Sequence, residues 1–268
     1  MAQVLEVLSR ERLRVVRLNR PERKNALNDE LLGALIVALR EAAHDDDVWA
    51  IAITGNGDAF CSGLDLSQGP GDAAGEADAS DESSAERDDA SNHLAVIMRV
   101  ECEKPILAGV NGVAVGIGLS LAMNADIRIA APSARFHPGY ARVATSPDGG
   151  LTCTLTRAVG YERAMRFLLE QKMLSASEAL TLGLVSEVAE SDDGFEERLL
   201  DYGQMLASVA PIAARQTKRM LMRIDQPPDL VAHLDDEIEL ALHGLASDDS
   251  KEAIRAMGVR ERPDFTGR

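Results

Sequence analysis

KPILAGVNGVAVGIGLSLAMNADIRIA, Lys104–Ala130, carries the pattern that decides the fold. Pro105–Val110 is a short apolar run of strand length, stopped by Asn111 and Gly112. Gly112–Met123 passes from strand to helix across Gly116 and Gly118, and Ala125–Ala130 reads as another strand. Strand, glycine turn, helix and strand in such quick succession predict an α/β body.

The same alternation extends in both directions. Val4–Leu8 and Leu13–Leu18 read as strands, and Asn28 caps a helix over Asp29–Ala43 whose apolar residues Leu31, Leu32, Leu35, Ile36 and Leu39 share one face. Val48–Thr54 is a buried strand, His93–Glu103 a helix stopped before Pro105, and Leu151–Val159 and Tyr161–Glu170 are further helices. Ser175 and Glu178 form a capping box, Gly183 ends that helix, and Leu184–Val188 is a short strand. From about Phe195 the chain is helical, broken at Pro211, Pro227 and Pro228. The expectation is an α/β core over residues 1–200 and a C-terminal helical region over 201–268 for capping and oligomerisation.

Composition narrows the function classes. The 268 residues are 46% hydrophobic but only 3% aromatic, so the core is built from Ala, Leu, Val and Ile. No run approaches the roughly 20 apolar residues of a membrane span, and the first residues lack the layout of a secretory signal. The expected location is cytoplasmic. A net charge of −16 argues against nucleic acid or an anionic membrane as the main partner. Cys61, Cys102 and Cys153 are odd in number and lack metal-ligand spacing, so neither a disulfide framework nor a metal is expected. Ser67–Ser91 holds eight acidic residues and no apolar residue larger than Ala. It reads as an acidic flexible loop, either a solvated insertion or a flap over a ligand.

Two stretches place glycine between a strand and a helix: Phe60-Cys-Ser-Gly-Leu-Asp-Leu66 and Val113-Ala-Val-Gly-Ile-Gly-Leu119. Backbone N–H groups at such junctions lack partners within the chain and glycine allows close approach of a ligand. Two N–H groups from two loops, aimed at one oxygen, make an oxyanion hole. The second stretch is not GxGxxG, which leaves a dinucleotide site a weak alternative. Ser146-Pro-Asp-Gly-Gly150 sets Asp148 just ahead of a helix. By itself Asp148 reads as a helix cap or as a reactive carboxylate.

Several motifs in order resemble the enoyl-CoA hydratase/isomerase (crotonase) superfamily. They are NRPERKNALN (Asn19–Asn28), ITGNGDAFCSGLDL (Ile53–Leu66), Lys104–Ala130, SPDGG with LTRAVG (Leu155–Gly160), LSASEALTLGLVSEV (Leu174–Val188) and the final RPDFTGR. The resemblance implies a crotonase-like spiral of ββα turns with a C-terminal helical region, assembled as a homotrimer or a dimer of trimers. It implies an acyl-CoA thioester substrate, no cofactor beyond that coenzyme A, and an oxyanion hole made by the N–H groups of Leu64 and Ile117. Lys24, Ala26, Asp65 and Arg260, or Arg262, match positions that border the coenzyme. Met98, Leu121, His137 and Tyr140 match the acyl pocket.

The chain also departs from the hydratase pattern. Ser120 and Gly139 stand where hydratases of the family carry two glutamates. Asp148 falls where isomerase branches carry a proton-shuttling Asp, and where the 4-chlorobenzoyl-CoA dehalogenase branch carries its nucleophile. His93, twelve residues before Pro105, matches the histidine base of that dehalogenase branch. The leading expectation is enoyl-CoA isomerisation with Asp148 as acid/base, assisted by His93. The alternatives are hydration through non-standard residues, aryl-CoA displacement with Asp148 as nucleophile, and a non-catalytic acyl-CoA-binding protein.

Overall fold

Strands in the middle of this chain are dealt alternately to two sheets. The computed structural model describes residues 3–65, 92–209, 211–225 and 248–261, with isolated positions between 231 and 246. The acidic loop 67–91 and Arg262 lie outside the described residues. Six strands form the larger sheet: β1 (Leu5–Arg10), β2 (Leu13–Leu18), β3 (Ala50–Gly55), β5 (Ile106–Val110), β7 (Ile127–Ala130) and β10 (Glu187–Val188), in that spatial order. Four form the smaller: β4 (Ala59–Cys61), β6 (Val113–Val115), β8 (Arg135–His137) and β9 (Leu174–Ser175). Among the described residues only β1–β2 and β8–β9 pair antiparallel. The pairs β3/β4, β5/β6 and β7/β8 each send one strand to each sheet before the chain turns helical. That repetition is the spiral of ββα turns.

The helices are α1 (Asp29–His44), α2 (Ile117–Asn124), α3 (Leu151–Val159), α4 (Tyr161–Glu170), α5 (Ala176–Leu182), α6 (Phe195–Ser208), α7 (Pro211–Asp225) and α8 (Asp248–Val259). Residues 92–96 are also α-helical and run into a π turn over Ile97–Glu101, where Cys102 N–H reaches the Ile97 carbonyl at 2.8 Å. The helix expected over His93–Glu103 therefore ends early and underwound. Asn28 caps α1 through Leu31 N–H, and Ser175 and Glu178 cap α5 reciprocally. The 200/201 position falls inside α6, whose Phe195, Leu199 and Ala207 pack on Leu13, Val15, Ala50 and Leu107 in a second apolar layer.

The main core lies between the sheets and α1, α2, α3 and α5. It gathers Leu18, Leu31, Leu35, Ile53, Phe60, Ile97, Leu119 and Phe136 among others. Exposing these side chains again would cost about 1.5–3 kcal/mol each. Buried charge then fixes helices to this core. Lys104 donates to the Ala42 carbonyl at 2.7 Å and to that of Asp45, pinning the end of α1. Lys218 on α7 donates to the Met98 and Lys104 carbonyls at 3.0 and 2.9 Å and pairs with Asp126 at 2.8 Å.

Removing that ammonium leaves acceptors buried with one partner fewer. Lys218→Ala is expected to lower unfolding free energy by about 3 kcal/mol, read as a shift of the urea midpoint. An unchanged midpoint would show that α7 is held by apolar packing alone.

Candidate active site

The two glycine loops meet because their side chains are missing. A Cβ at Gly118 would lie 2.2 Å from the Cys61 carbonyl oxygen, and one at Gly63 would lie 3.1 Å from that of Val115. The end of β4 and the start of α2 are therefore in direct backbone contact. Gly116, at φ 55°, turns the chain from β6 into α2 and donates its N–H to the His137 carbonyl at 3.2 Å. Leu27 N–H bonds the Gly63 carbonyl and Asp65 N–H bonds the Leu27 carbonyl, at 2.8 and 2.9 Å. The N–H groups of Ile117 and Leu64 donate to no acceptor among the described residues. Leu64 is 51% exposed, and Ile117 is the first residue of α2.

Asp148 comes to this corner on the loop before α3. Gly149 packs on Ile117 and Ser120, where a Cβ would stand 2.9 Å from Ile117 Cδ1 and 3.3 Å from Ser120 Cβ. Asn124 clamps the loop, donating Nδ2–H to the Gly149 carbonyl at 2.7 Å and to the Ser120 carbonyl at 2.9 Å. The N-cap position of α3 is Gly150, in the left-handed region, and Asp148 stands in the loop just ahead of it. Its carbonyl accepts from Leu151 N–H at 3.2 Å, and its carboxylate Oδ1 accepts from the Tyr140 hydroxyl at 2.5 Å. Ser120 Oγ lies 2.8 Å from the Tyr140 hydroxyl and 3.1 Å from the Asp148 carbonyl oxygen. Burial and the adjacent carboxylate push the Tyr140 phenol well above its usual pKa, so it remains a neutral donor.

The other expected residues are placed as follows. Met98, Leu121 and Tyr140 join Ile117 in one buried cluster. His93 is half-buried on the helical turn before the π segment. His137 is buried, and its Nε2 contacts the Gln171 carbonyl at 3.0 Å. A carbonyl only accepts, so Nε2 carries the hydrogen. Burial lowers the pKa of this imidazole, which makes it a neutral brace between β8 and the end of α4. Cys61 is buried with its thiol pushed up to about 12, so it is packing and not a nucleophile.

Lys24 pairs with Asp58, Ala26 is buried beside it in sequence, and Arg260 is exposed at the end of α8. Asp65 pairs with Arg20 at 2.8 Å, and Arg20 also reaches the Ala26 carbonyl at 2.5 Å, which fastens the 20–27 loop to the 61–65 segment. Among the described residues no group of three or more His, Cys, Asp or Glu side chains could hold a metal ion, and no helix is long and apolar enough to cross a membrane.

What the sequence reading missed are Ser120 and the orientation of Tyr140 as partners of Asp148, and Asn124 as the clamp on the neighbouring Gly149 carbonyl. The available signal was a pair of polar residues, Ser120 and Asn124, at helical spacing in the otherwise apolar stretch Ile117–Asn124. Gly118→Ala is expected to force β4 and α2 apart, at a cost of about 2 kcal/mol or more, visible as a lowered thermal midpoint. Wild-type stability in that variant would mean the two loops are not in contact.

The Enoyl-CoA hydratase/isomerase family model matches residues 9–268. A probable enoyl-CoA hydratase of Rhodobacter capsulatus is 37% identical over 268 residues, covering 96% of each chain. The 1,2-epoxyphenylacetyl-CoA isomerase of Escherichia coli is 33% identical over 255 residues, covering 94% of each. The crystal structure of an enoyl-CoA hydratase/isomerase from Pseudoalteromonas atlantica superposes with a TM-score of 0.84 at 33% identity, over 98% of this chain and all of that one. With this match over nearly its whole length, the chain belongs to the enoyl-CoA hydratase/isomerase family, whose members are acyl-CoA enzymes.

Proposed function

We propose that the protein isomerises an enoyl-CoA, with Asp148 carrying the proton. The observation behind this reading is the corner around Ser120. A hydroxyl stands where a hydratase glutamate is expected, and the carboxylate bonded into the same network is Asp148.

The thioester oxygen lies between Leu64 N–H and Ile117 N–H, which face no other acceptor among the described residues. Asp148 takes a proton from the carbon beside the carbonyl. The C–H pair becomes a carbon–carbon double bond, and the carbonyl π pair moves onto the oxygen held by the two N–H groups. Asp148 then returns a proton at the far end of the conjugated system, the carbonyl re-forms and the double bond has moved. No atom is gained or lost, and no cofactor is needed beyond the coenzyme A of the substrate. Lys24, Ala26 and Arg260 border the coenzyme, and Met98, Leu121 and Tyr140 surround the acyl group. Asp65 takes a supporting place through Arg20, and His93 is an auxiliary acid/base. Assembly as a homotrimer or dimer of trimers would cover apolar surface such as the exposed Tyr161, Met165 and Leu169 stripe of α4.

A panel of crotonyl-, 3-hexenoyl- and 4-chlorobenzoyl-CoA in deuterium oxide, followed by mass spectrometry, tests the reading. Expected is deuterium in 3-hexenoyl-CoA without addition of water, slowed about 100-fold or more in Asp148→Asn. Equal rates in wild type and variant would refute Asp148 as the proton carrier. Water gain on crotonyl-CoA or chloride release would assign hydration or aryl displacement instead, and tight binding without turnover would assign a binding protein.

A further inference from the structure

We propose that Tyr140 is the positioning residue of this site: its hydroxyl holds Asp148 Oδ1, and Ser120 keeps the phenol in line. The proposal rests on the reading of Asp148 as proton carrier and deepens it.

The hydrogen count fixes the direction of the chain. An ionised carboxylate only accepts, so the single phenolic hydrogen goes to Asp148 Oδ1, 2.5 Å away. Ser120 then supplies its own hydrogen to the phenol oxygen at 2.8 Å or to the Asp148 carbonyl at 3.1 Å. Either way Ser120 ties the Tyr140–Asp148 pair to α2, whose first N–H is the Ile117 donor. The phenol has little freedom to swing away. Tyr140 is buried, opens a tight helical turn over Tyr140–Val143, and accepts Thr145 N–H on its carbonyl at 3.2 Å.

The chemical effect follows from donation to the charged form. A hydrogen bond to a carboxylate favours ionisation and opposes the penalty of burial. Short bonds of this kind to a charged oxygen are among the stronger ones in proteins. Tyr140 therefore keeps Asp148 ready to accept a proton and holds the carboxylate plane still while the proton leaves and returns. The proton itself never passes through the phenol. When Asp148 is protonated, Tyr140 continues to donate to Oδ1, so the network needs no rearrangement during turnover.

The test compares wild type, Tyr140→Phe, Ser120→Ala, the double variant and Asp148→Asn for deuterium exchange into 3-hexenoyl-CoA across pH. Tyr140→Phe is expected to lower kcat about tenfold to a hundredfold with KM changed less than about threefold. Its acid limb should move to higher pH, because the carboxylate loses a donor. Ser120→Ala should move both readouts the same way by less, and the double variant should be no worse than Tyr140→Phe, since the two act as one chain. Incorporating 3-fluorotyrosine at 140, a more acidic phenol of nearly the same shape, should move the acid limb to lower pH. Wild-type kcat and pH profile in Tyr140→Phe, with Asp148→Asn inactive, would overturn the role of Tyr140 and leave that of Asp148 standing. Full activity in Asp148→Asn would overturn the underlying reading. Should Tyr140→Phe fail to fold by circular dichroism, an unshifted profile in both the fluorotyrosine and Ser120→Ala proteins would overturn the proposal.

Discussion

Backbone against backbone, at Gly118 on the Cys61 carbonyl, is the contact from which the site follows. It lets the last residues of β4 and the first residues of α2 share one corner. The smaller sheet serves this contact: β4 and β6 run parallel and end together, and a bulge between Ala59 and Cys61 turns the exit of β4. A methyl group at position 118 would stand 2.2 Å from the Cys61 carbonyl oxygen and force the loops apart. Gly149 repeats the device on the other side, pressing the Asp148 loop onto Ile117 and Ser120.

Polar groups then fix what the glycines bring near. Asn25 is buried and makes three side-chain bonds, accepting Arg20 N–H and donating to the Asn56 and Ala59 carbonyls. Asn111 accepts Gly55 N–H and donates to the Gly57 and Ala59 carbonyls. These two asparagines fasten the turn between β3 and β4 from opposite sides. Asn124 does the same for the Asp148 loop. Each satisfies backbone groups that an irregular buried segment would otherwise leave unpaired. The corner between the two sheets thus rests on side-chain amides where regular strand pairing stops.

Much of this was legible in the sequence. The long parallel strands announce themselves as apolar runs, and Asn28 and the Ser175–Glu178 box mark helix starts that the structure places there. The smaller sheet was not legible residue by residue, because strands of two or three residues such as β9 and β4 carry too little pattern to stand apart from loops. The π turn at Ile97–Glu101 was invisible for a related reason: the apolar spacing of a helix survives one underwound turn. Asp148 was visible as a carboxylate among glycines, but its role depended on partners at positions 120 and 140. Such distant pairing leaves no periodic trace. The sequence registered Ser120 as a missing acid; the structure shows it as a hydroxyl joining two other groups.

The unpartnered donors at Leu64 and Ile117 belong to the main chain. A side-chain change at either position leaves its N–H where it was, and only proline removes it. Leu64 projects into solvent, so it can vary without disturbing the core. Those two N–H groups are thereby insulated from ordinary point mutation, whereas Ser120, Tyr140 and Asp148 are each one substitution away from a different hydrogen-bond network. A chain built this way can exchange its side-chain network while its two main-chain donors are inherited intact.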